Sequence, residues 1–484
     1  MSAPIALNRI TAAIVTLASA LVGVPAFGAG FALQENSGSG MGNAYAGGAA
    51  VADDASTVWS NAAGMARLGS GQVAMALSLI QPSIKFSNSA SQAAALQPLG
   101  GDGGNAGSLA AVPNLYVAYP IDPRWTLGLG VNAPFGLVSE YDNGWIGRFQ
   151  GIKSEIKTYN VNPAVAWKVT DSIAIGGGAN YQKIDGTFTS NVNYSALLMT
   201  GLNPLVGPAV PPARVTPDEA KSIALATSGL VSDAKVKGSD YAWGWNLGIM
   251  VDIDQSNRIG AQYRSAIKYT LSGNVTFANP ALPAVPGLSP TAAATLAAVA
   301  AGVNGGALSN SGITSQVKLP EIFNISYFGR MNRQWDVMGD LQYTGWGSIQ
   351  DLTFVRDSGS PLQSTTMNFK DAWRFAVGAN YHHNEQWLFR GGLAYDQSPV
   401  QDATRTVRLP DADKTWLALG AQYKFNPKLW LDFGGAYVWV RGSSIDNIGP
   451  SNLDTPPSAA LSGRVNGDYS NYVVMLSGQL TYAF

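Results

Sequence analysis

The chain has 484 residues, of which only 13% are charged, 55 are glycines and none is cysteine. A soluble domain usually carries about 25% charged residues, so the composition argues against a string of ordinary soluble domains. The formal net charge of −1 gives no electrostatic reason to expect nucleic-acid binding, and without cysteine no disulfide can form.

The N-terminus has the pattern of an export signal. Arg9 precedes an apolar stretch from Ile10 to Val24, and the small residues Ala26 and Gly28 follow with the spacing of a signal-peptidase site. We predict a signal peptide over residues 1–28 and a mature chain that begins at Ala29. An uncleaved anchor helix is the alternative, but the apolar stretch is short for the ~20 residues that span a bilayer.

Residues 29–70 lack strand alternation and are rich in small residues, as in SGSGMGNAYAGGAAVADDAS. We predict that they fold as a plug, or hatch, inside a barrel formed by the rest of the chain. Ala and Gly would allow close packing against the side chains that face the interior of that barrel. A disordered tail is the alternative. GSGMG is a weak match to a phosphate loop, since no strand precedes it and no Lys follows. We expect Asp53 and Asp54 to pair with interior Arg and Lys rather than to hold a metal.

From residue 71 onward, large apolar residues fall at every second position in many segments. The last segment is the clearest, because Phe484, Tyr482, Leu480 and Leu476 alternate with small or polar residues. The same period recurs near 243–253, 387–396 and 429–439, with charges and glycines on the second face. This alternation is typical of strands between lipid and a filled lumen, and a soluble sandwich is the alternative.

Six short turns alternate with seven long connections, which implies 14 strands. The short turns lie near 121–124, 170–172, 254–257, 330–333, 383–385 and 426–428. Both chain ends then lie on the short-turn side, as in bacterial barrels. We therefore predict an all-β fold, a 14-stranded antiparallel transmembrane barrel over residues 71–484, because only a helix or a closed barrel satisfies the backbone in hydrocarbon.

Two long connections contain helix signals. Thr216-Pro217-Asp218-Glu219 combines an N-cap residue, proline at the first helical position and the Glu of a capping box. Ser289-Pro290 opens an Ala-rich stretch in the next long connection. We predict a short helix in each of these connections.

An apolar stretch, ALLMTGLNPLVGPAV, precedes the first of these helices. Exposed apolar patches usually mark binding sites. We therefore predict that Leu197, Leu198 and Leu202 belong to an outer groove that captures an apolar molecule. Packing of one loop against another is the alternative.

The stretch NAPFGLVSEYDNGWIGRF, residues 132–149, interrupts a strand that alternates well from Trp125 to Ala133. Proline cannot donate to a strand ladder and glycine weakens a strand interior. On this pattern alone, the simple interpretation is that Pro134 ends the strand at the barrel rim.

Several stretches together resemble the FadL/TodX family of outer-membrane transporters for long-chain fatty acids and other hydrophobic compounds. They are GMGNAYAGGAAVADDAS, APFGLVSEYDNGWIGRF, GWNLGIMVDIDQSNRIGAQYRSAIKYTLSGN, LPEIFNISYFGRMNRQWDV, FKDAWRFAVGANYHHNEQWLFRGGLAYDQSPV and the terminal YAF. The resemblance covers nearly all of residues 29–484. Asn61-Ala62-Ala63 departs from it, because members commonly carry Asn-Pro-Ala there, and this departure concerns the local geometry of the hatch.

The resemblance implies a hatch and a kinked third strand that opens a lateral gap toward the membrane at Pro134, Phe135 and Gly136. It implies capture of cargo in the loop groove, transfer to a lumen pocket and lateral release. We expect Phe31 to be an apolar contact of the cargo, at the start of a hatch segment that shifts when cargo binds.

The basic positions that bind fatty acids in the family match Lys183 in NYQKIDG and Lys370 in FKDAWR. Arg374 lies four residues after Lys370, on the same strand face. The alternative is that each of these cations only forms a salt bridge inside the lumen and does not bind cargo.

The expected cargo is a long-chain fatty acid, with aromatic or other hydrocarbons as the alternative. A general porin or an outer-membrane lipase is a weaker interpretation, because a hatch is predicted and the two histidines, His382 and His383, lie beside a short turn with no triad in view. We predict no enzyme activity, no cofactor, no metal site and no nucleic-acid partner. The protein is expected to be a monomer surrounded by outer-membrane lipid and lipopolysaccharide.

Overall fold

The structure is a computed structural model that describes residues 30–207, 214–452 and 457–484. The predicted signal peptide and Ala29 lie outside these residues. Within them, no helix is long and apolar enough to cross a membrane.

The described residues form a closed 14-stranded antiparallel barrel, as predicted. Closure is made by the first and last strands, which pair in one register from Gln72 opposite Ala483 to Asn88 opposite Gly467. Several wall strands are interrupted and therefore consist of two ladder segments. The strands are β1 (Gln72–Asn88), β2 (Ala110–Pro120), β3 (Trp125–Asn132), β4 (Gly136–Glu140), β5 (Lys153–Lys168), β6 (Ile173–Asn193), β7 (Val231–Asp252), β8 (Asn257–Arg264), β9 (Ile267–Ala278), β10 (Ser311–Leu319), β11 (Ile322–Arg330), β12 (Trp335–Thr344), β13 (Asp351–Arg356), β14 (Pro361–Thr366), β15 (Ala372–His382), β16 (Trp387–Asp396), β17 (Lys414–Asn426), β18 (Leu429–Val440), β19 (Ser443–Asn447), β20 (Ser451–Asn452) and β21 (Val465–Ala483).

The third wall strand is β3 with β4, the seventh is β8 with β9, the eighth is β10 with β11, and the thirteenth is β18 with β19. The segments β13, β14 and β20 pair among the long loops. The helices are α1 (Gly38–Met41), α2 (Thr57–Ser60), α3 (Tyr194–Leu202), α4 (Pro217–Ala226), α5 (Pro290–Gly305) and α6 (Ala459–Ser462).

The six short turns lie where the sequence predicts them, and their side chains explain why. In the first turn, Asp122 Oδ1 accepts hydrogen bonds from the backbone N–H groups of Arg124 (2.7 Å) and Trp125 (2.8 Å). Asp254 and Asn384 do the same for the residues two and three positions after them. Such side chains satisfy backbone donors that the ladder leaves free at a turn.

The outer face of the barrel is apolar and is bordered by aromatic side chains at both ends. At the short-turn end, Trp125 stacks on Trp167 at 5.6 Å between ring centroids. At the long-loop end, Tyr343 packs against Trp373 and Tyr437 stacks on Tyr472. Two aromatic belts around an apolar band are the expected outer surface of a barrel in a membrane.

Residues 30–70 lie inside the lumen and pack closely against the wall. The contact needs glycine in the wall, because a Cβ at Gly260 would lie 1.8 Å from the carbonyl oxygen of Ala49, and one at Gly392 would lie 2.2 Å from the carbonyl carbon of Asn43. Asn61, which precedes Ala62, caps a 3₁₀ helix over Ala62–Arg67.

Both predicted loop helices are confirmed. Thr216 Oγ1 accepts a hydrogen bond from the backbone N–H of Glu219 at 3.3 Å, and Glu219 Oε2 accepts one from the backbone N–H of Thr216 at 2.9 Å. Ser289 caps α5 by accepting from Ala292. The helices α3, α4 and α5 pack on one another above the barrel wall.

Candidate functional site

The third wall strand loses one of its two neighbours at Pro134. Below this residue, β3 pairs with β2 on one side and with β5 on the other. Above it, β4 continues along β5, from Gly136 opposite Lys157 to Glu140 opposite Lys153. Among the described residues, β4 has no ladder with β2. The wall is therefore interrupted between β2 and β4, at the level of Pro134, Phe135 and Gly136.

The hatch forms hydrogen bonds with the edge of the third wall strand that has no partner in β2. The backbone N–H of Leu33 donates to Pro134 O at 2.9 Å, and that of Gly136 donates to Phe31 O at 2.9 Å. Ala32 lies directly opposite Phe135 as an isolated antiparallel bridge. On the other side, Thr158 Oγ1 accepts from Phe135 N and donates to Phe135 O. The break therefore leaves the backbone around Phe135 satisfied.

We call hatch residues 31–36 the strap. Asn114 Nδ2 donates to Glu35 O at 2.9 Å, and the Tyr116 hydroxyl donates to Asn36 O at 2.9 Å. Just before the strap, the backbone N–H of Gly30 donates to Asp411 Oδ2 at 2.9 Å. The strap thus lies along β2 and the third wall strand, and loop residues hold its beginning.

The side chain of Glu35 has an unusual environment. Both of its carboxylate oxygens are buried and have no hydrogen-bond partner among the described residues. Burial raises the pKa of Glu35 above its ordinary 4.5 to about 8, although the positive charge of Arg374 opposes this shift. Arg374 and Asp396 lie opposite each other on β15 and β16, and their charges act on the Glu35 carboxyl.

An apolar cavity of about 280 Å³ lies above the strap. Phe31 and Leu137 line it, so the cavity reaches both the strap and the kinked strand. Phe31 also contacts Phe135 and Trp346 edge to face, with ring centroids 6.0 Å and 4.8 Å apart. The other apolar lining residues come from the wall and the long loops and include Ile156, Ile184, Phe188, Leu197, Leu271, Val275, Phe354, Phe369 and Leu409.

Arg408 supplies a positive charge to this cavity. Its Nη1 donates to Lys153 O and Ser154 Oγ at 3.1 Å and to Thr189 O at 3.3 Å. Its Nε and Nη2 make no hydrogen bond with the described residues, and it forms no ion pair with any of their carboxylates. Burial lowers the pKa of Arg408 to about 10, so the guanidinium stays charged at neutral pH. Ser139 of β4 donates to Arg408 O, which ties this loop to the kinked strand.

The three cations that the sequence singles out do not come together. Lys183 alternates with buried Gln182 and Ile184, so it faces outward, where it pairs with Asp185 at 2.9 Å. Lys370 is exposed in a long loop. Arg374 faces the lumen but lies beside the hatch, where its Nη2 donates to Ala44 O at 2.6 Å. None of the three lines the apolar cavity.

The three leucines of the expected groove also have different surroundings. Leu197 lines the cavity. Leu198 is fully buried against Tyr194 and Leu308, and Leu202 is fully buried in the cluster formed by α3, α4 and α5. The structure therefore places Leu198 and Leu202 in the packing between loops, which is the alternative that the sequence left open.

The lower lumen is polar, in contrast to the cavity above it. Arg390 and Asp432 form a buried ion pair, and Gln422 also donates to Asp432 at 2.9 Å. Asp53 lies 3.9 Å from Arg258, as expected, but Asp54 accepts from Gln479 at 2.9 Å rather than from a cation. Within the described residues, no three His, Asp or Glu side chains are grouped to hold a metal ion.

Sequence reasoning missed Arg408 and Trp346. Both lie outside the strands, Arg408 in a turn and Trp346 at the start of a short 3₁₀ helix, where no periodicity indicates which side chain faces the lumen. The orientation of Lys183 did have a signal, because it shares its parity with Tyr181, Ile175 and Ile173, which are outward and exposed. Alternation along β6 would have placed Lys183 on the outer face.

Comparison with known proteins adds to this geometry. A family model described as "Outer membrane protein transport protein (OMPP1/FadL/TodX)" matches residues 19–484. The long-chain fatty acid transport protein of Escherichia coli K12 is 30% identical over 462 residues, which cover 94% of this chain and 97% of that protein. Outer membrane protein P1 of Haemophilus influenzae Rd is 27% identical and covers 94% of this chain and 95% of its own length.

Solved structures share the fold. A Pseudomonas aeruginosa FadL homologue superposes with a TM-score of 0.78 at 24% identity, covering 94% of this chain and all of that chain. The Pseudomonas putida toluene transporter TodX gives a TM-score of 0.62 at 14% identity, with 94% of this chain and 100% of the other covered.

Proposed function

The chain belongs to the OMPP1/FadL/TodX family of outer-membrane transport proteins, and we propose that its own cargo is a long-chain fatty acid. It is an outer-membrane β-barrel protein that transports hydrophobic compounds. Our proposal concerns only which hydrophobic compound this protein transports. It is supported by the name of the E. coli relative and by an apolar cavity whose lining includes Arg408, a cation that forms no ion pair within the described part of the chain.

The apolar cavity is the observation on which the proposal depends. Burying hydrocarbon contributes about 0.8 kcal/mol per CH₂ group, so a chain of roughly 16 carbons gains about 10 kcal/mol before the costs of binding. A charged head group contributes much less, because part of its interaction is lost to desolvation. We therefore expect the cavity to dominate affinity and a cation to orient the acid.

Arg408 is the cation that we assign to the carboxylate. Arg408 lines the cavity, two of its nitrogens have no hydrogen-bond partner in the described chain, and guanidinium groups bind carboxylates in a bidentate manner. A neutral hydrocarbon in the same cavity would leave this charge unpaired. Lys183 and Lys370 remain predictions from the family motif, but their positions on the outer face and in an exposed loop favour Arg408.

We propose a route with three stages. Cargo enters among the loop helices, where Leu197 borders the cavity. It then rests above Phe31 and leaves between β2 and β4, at Pro134, Phe135 and Gly136. Because the strap is hydrogen-bonded to this same edge, it must move before cargo can pass, and cargo can favour the moved state only through contacts that differ between the two states.

Binding to purified protein tests the cargo and the cation together. We expect wild-type protein to bind oleate more tightly than oleyl alcohol or toluene. Arg408→Gln should weaken oleate binding by roughly ten- to a hundredfold, as expected for a lost charged hydrogen bond of about 1.5–3 kcal/mol, with little effect on oleyl alcohol. Lys85→Gln is the matched control, because Lys85 is an exposed residue of β1 that does not line the cavity, and it should bind like the wild type.

The possible contrary results have separate meanings. Equal oleate affinity in Arg408→Gln and wild-type protein would remove Arg408 from the site. Toluene binding that exceeds oleate binding in the wild type would overturn the fatty-acid proposal and favour hydrocarbon uptake.

A further inference from the structure

Five neighbouring wall strands each carry an outward-facing lysine at the middle of the strand or in the half toward the long loops. They are Lys157 on β5, Lys183 on β6, Lys237 on β7, Lys268 on β9 and Lys318 on β10, and we call them the lysine arc. Each one alternates with inward or buried neighbours, for example Lys268 between the buried Ile267 and Tyr269. The arc covers the fourth to the eighth of the 14 strands.

An outward aromatic residue lies on the membrane side of each lysine, on the same wall strand. Tyr159, Tyr181 and Tyr241 lie below Lys157, Lys183 and Lys237, while Tyr263 and Phe323 lie below Lys268 and Lys318. Lys183 Nζ lies 5.8 Å from the ring centroid of Tyr241. Tyrosine and tryptophan belts mark the membrane interface, so the arc lies at the level of the outer-leaflet head groups.

Two aspartates border the aromatic belt on the far side of the barrel. There the Tyr343 hydroxyl donates to Asp371 at 2.7 Å, and the Tyr395 hydroxyl donates to Asp413 at 2.8 Å. Basic residues lie beside both, because Lys370 precedes Asp371 in the chain and the backbone N–H of Arg441 donates to Asp413 O. The arc therefore differs from the far side in its succession of lysines over five neighbouring strands.

Part of the arc lacks an internal counter-charge. Lys157 pairs with Glu155 at 2.7 Å, and Lys183 pairs with Asp185. The ammonium groups of Lys237, Lys268 and Lys318 make no ion pair or hydrogen bond with any residue that the structure describes.

Lys268 and Lys318 also lie directly opposite each other on β9 and β10. Like charges in this position destabilise a sheet. The carboxylate of Asp240, which lies opposite the inward-facing Ile184, accepts from the backbone N–H groups of Tyr241 and Thr270 and forms a hydrogen bond with neither lysine. An anion from outside the chain would relieve the repulsion between the two lysines.

We propose that the lysine arc binds the phosphate groups of an outer-leaflet glycolipid of the lipopolysaccharide type. Neighbouring strands are about 4.8 Å apart, so the five strands extend over roughly 19 Å across their four intervals. Lys268 and Lys318 are level with each other, whereas Lys237 lies opposite Asn274, further toward the long loops than Lys268. A lipid with two phosphates on a sugar backbone can contact several of these lysines at once, whereas a phospholipid with a single phosphate contacts fewer. This inference does not depend on the identity of the cargo.

The arc begins at β5, the strand that pairs with β4 beside the wall interruption. A glycolipid on the arc therefore borders the proposed lateral opening. Its bulk would fill the outer leaflet beside that opening.

The test uses the full-length barrel in detergent with a Lys268→Gln/Lys318→Gln variant and native mass spectrometry of bound lipid. The probes are bisphosphorylated lipid A, lipid A treated with phosphatase, and phosphatidylglycerol. Lys85→Gln is the matched control, because Lys85 is an outward, exposed lysine on β1, away from the arc. Heat-modifiable gel mobility verifies that each variant is folded.

We expect wild-type and Lys85→Gln proteins to retain lipid A in preference to the other two lipids. The double variant should lose lipid A affinity by roughly tenfold or more, because each Lys near a lipid phosphate contributes about 1 kcal/mol. Equal retention by the folded double variant, or equal retention of phosphatase-treated lipid A by the wild type, would overturn the site. Phosphatidylglycerol retained as well as lipid A would overturn the choice of glycolipid.

Discussion

The first and third wall strands both contain a proline and both lose β2 as a neighbour, but only the third is broken into two segments. Within β1, Pro82 lies opposite Val473 and the pairing with β21 continues for the whole length of the strand. The other edge of β1 pairs with β2 only from Gln72 to Ile80. The N–H of Ile84 points to that edge, where it donates to Asn105 Oδ1 at 2.8 Å. Pro82 lies two residues before Ile84, so its backbone nitrogen points to the same edge. The N–H group that proline lacks is therefore missing where β1 has no strand partner.

The comparison shows that proline alone does not interrupt a barrel wall. In hydrocarbon an unsatisfied backbone group costs several kcal/mol, so a strand leaves its neighbour only where another partner is available. For Pro134 and Gly136 that partner is the strap, through Leu33 and Phe31. The wall interruption is therefore a joint property of the third strand and the hatch.

The largest effect is expected when the third strand is made to resemble the first. Pro134→Val with Gly136→Val restores one ladder donor and raises strand propensity, so the strand can continue along the free edge of β2. Uptake of labelled oleate by cells should fall by more than about tenfold, since each ~1.4 kcal/mol added to a barrier is a factor of ten in rate. The barrel itself should become more stable.

Pro82→Val is the control for that experiment. It adds a donor on the unpaired edge of β1 and should leave uptake unchanged. Heat-modifiable gel mobility shows whether each variant is folded. A folded Pro134→Val/Gly136→Val protein with wild-type uptake would refute lateral release at this position.

A reversible covalent bond between the strap and the kinked strand sharpens the comparison. Ala32 and Phe135 form a non-hydrogen-bonded antiparallel pair, flanked by the bonds Leu33 N to Pro134 O and Gly136 N to Phe31 O. The Cα atoms of such pairs are about 4.5 Å apart, which a disulfide can bridge. The chain has no cysteine, so Ala32→Cys/Phe135→Cys introduces a single possible intramolecular disulfide.

We expect the oxidised double variant to bind oleate but to lose most of its uptake, and a reducing agent to restore uptake to the level of the reduced protein. The single variant Phe135→Cys controls for loss of the ring and should not respond to oxidation. If the oxidised and reduced double variants transport equally, the strap does not need to leave the kinked strand.

The smallest effect concerns the pH dependence of the strap. Because burial raises the pKa of Glu35 to about 8, the folded strap favours the protonated acid. This contribution to stability is complete below the ordinary pKa of 4.5 and is lost as the pH rises toward about 8. The equilibrium between the closed and the open strap should therefore shift toward the open state as the pH rises across this window.

Hydrogen exchange measured by mass spectrometry over residues 31–36 checks this expectation, after correction for the intrinsic pH dependence of exchange. Glu35→Gln keeps a neutral side chain of similar shape and should remove the pH dependence. A strap that opens with the same pH dependence in the Gln variant would show that another group titrates.

Much of the architecture was accessible from the sequence because it depends on local pattern. Alternation with period two predicts the strands, and side chains such as Asp122, Asp254 and Asn384 satisfy backbone donors within the short turns that they mark. The capping box at Thr216 and Glu219 is likewise a contact over three residues. Interactions of this kind are the same in any tertiary context, so the number of strands and the loop helices could be predicted.

The site depended on the tertiary structure, because its contacts join residues far apart in the chain. Phe31 and Leu33 meet Pro134 and Gly136 about a hundred residues later, and Arg408 reaches the ends of β5 and β6 from a loop between β16 and β17. Such pairs form only when the barrel closes and places the hatch inside it, and loop segments have no periodicity that shows which side chain faces the lumen. The sequence by itself therefore determined the wall and the position of its break, while closure decided what covers that break and which cation borders the cavity.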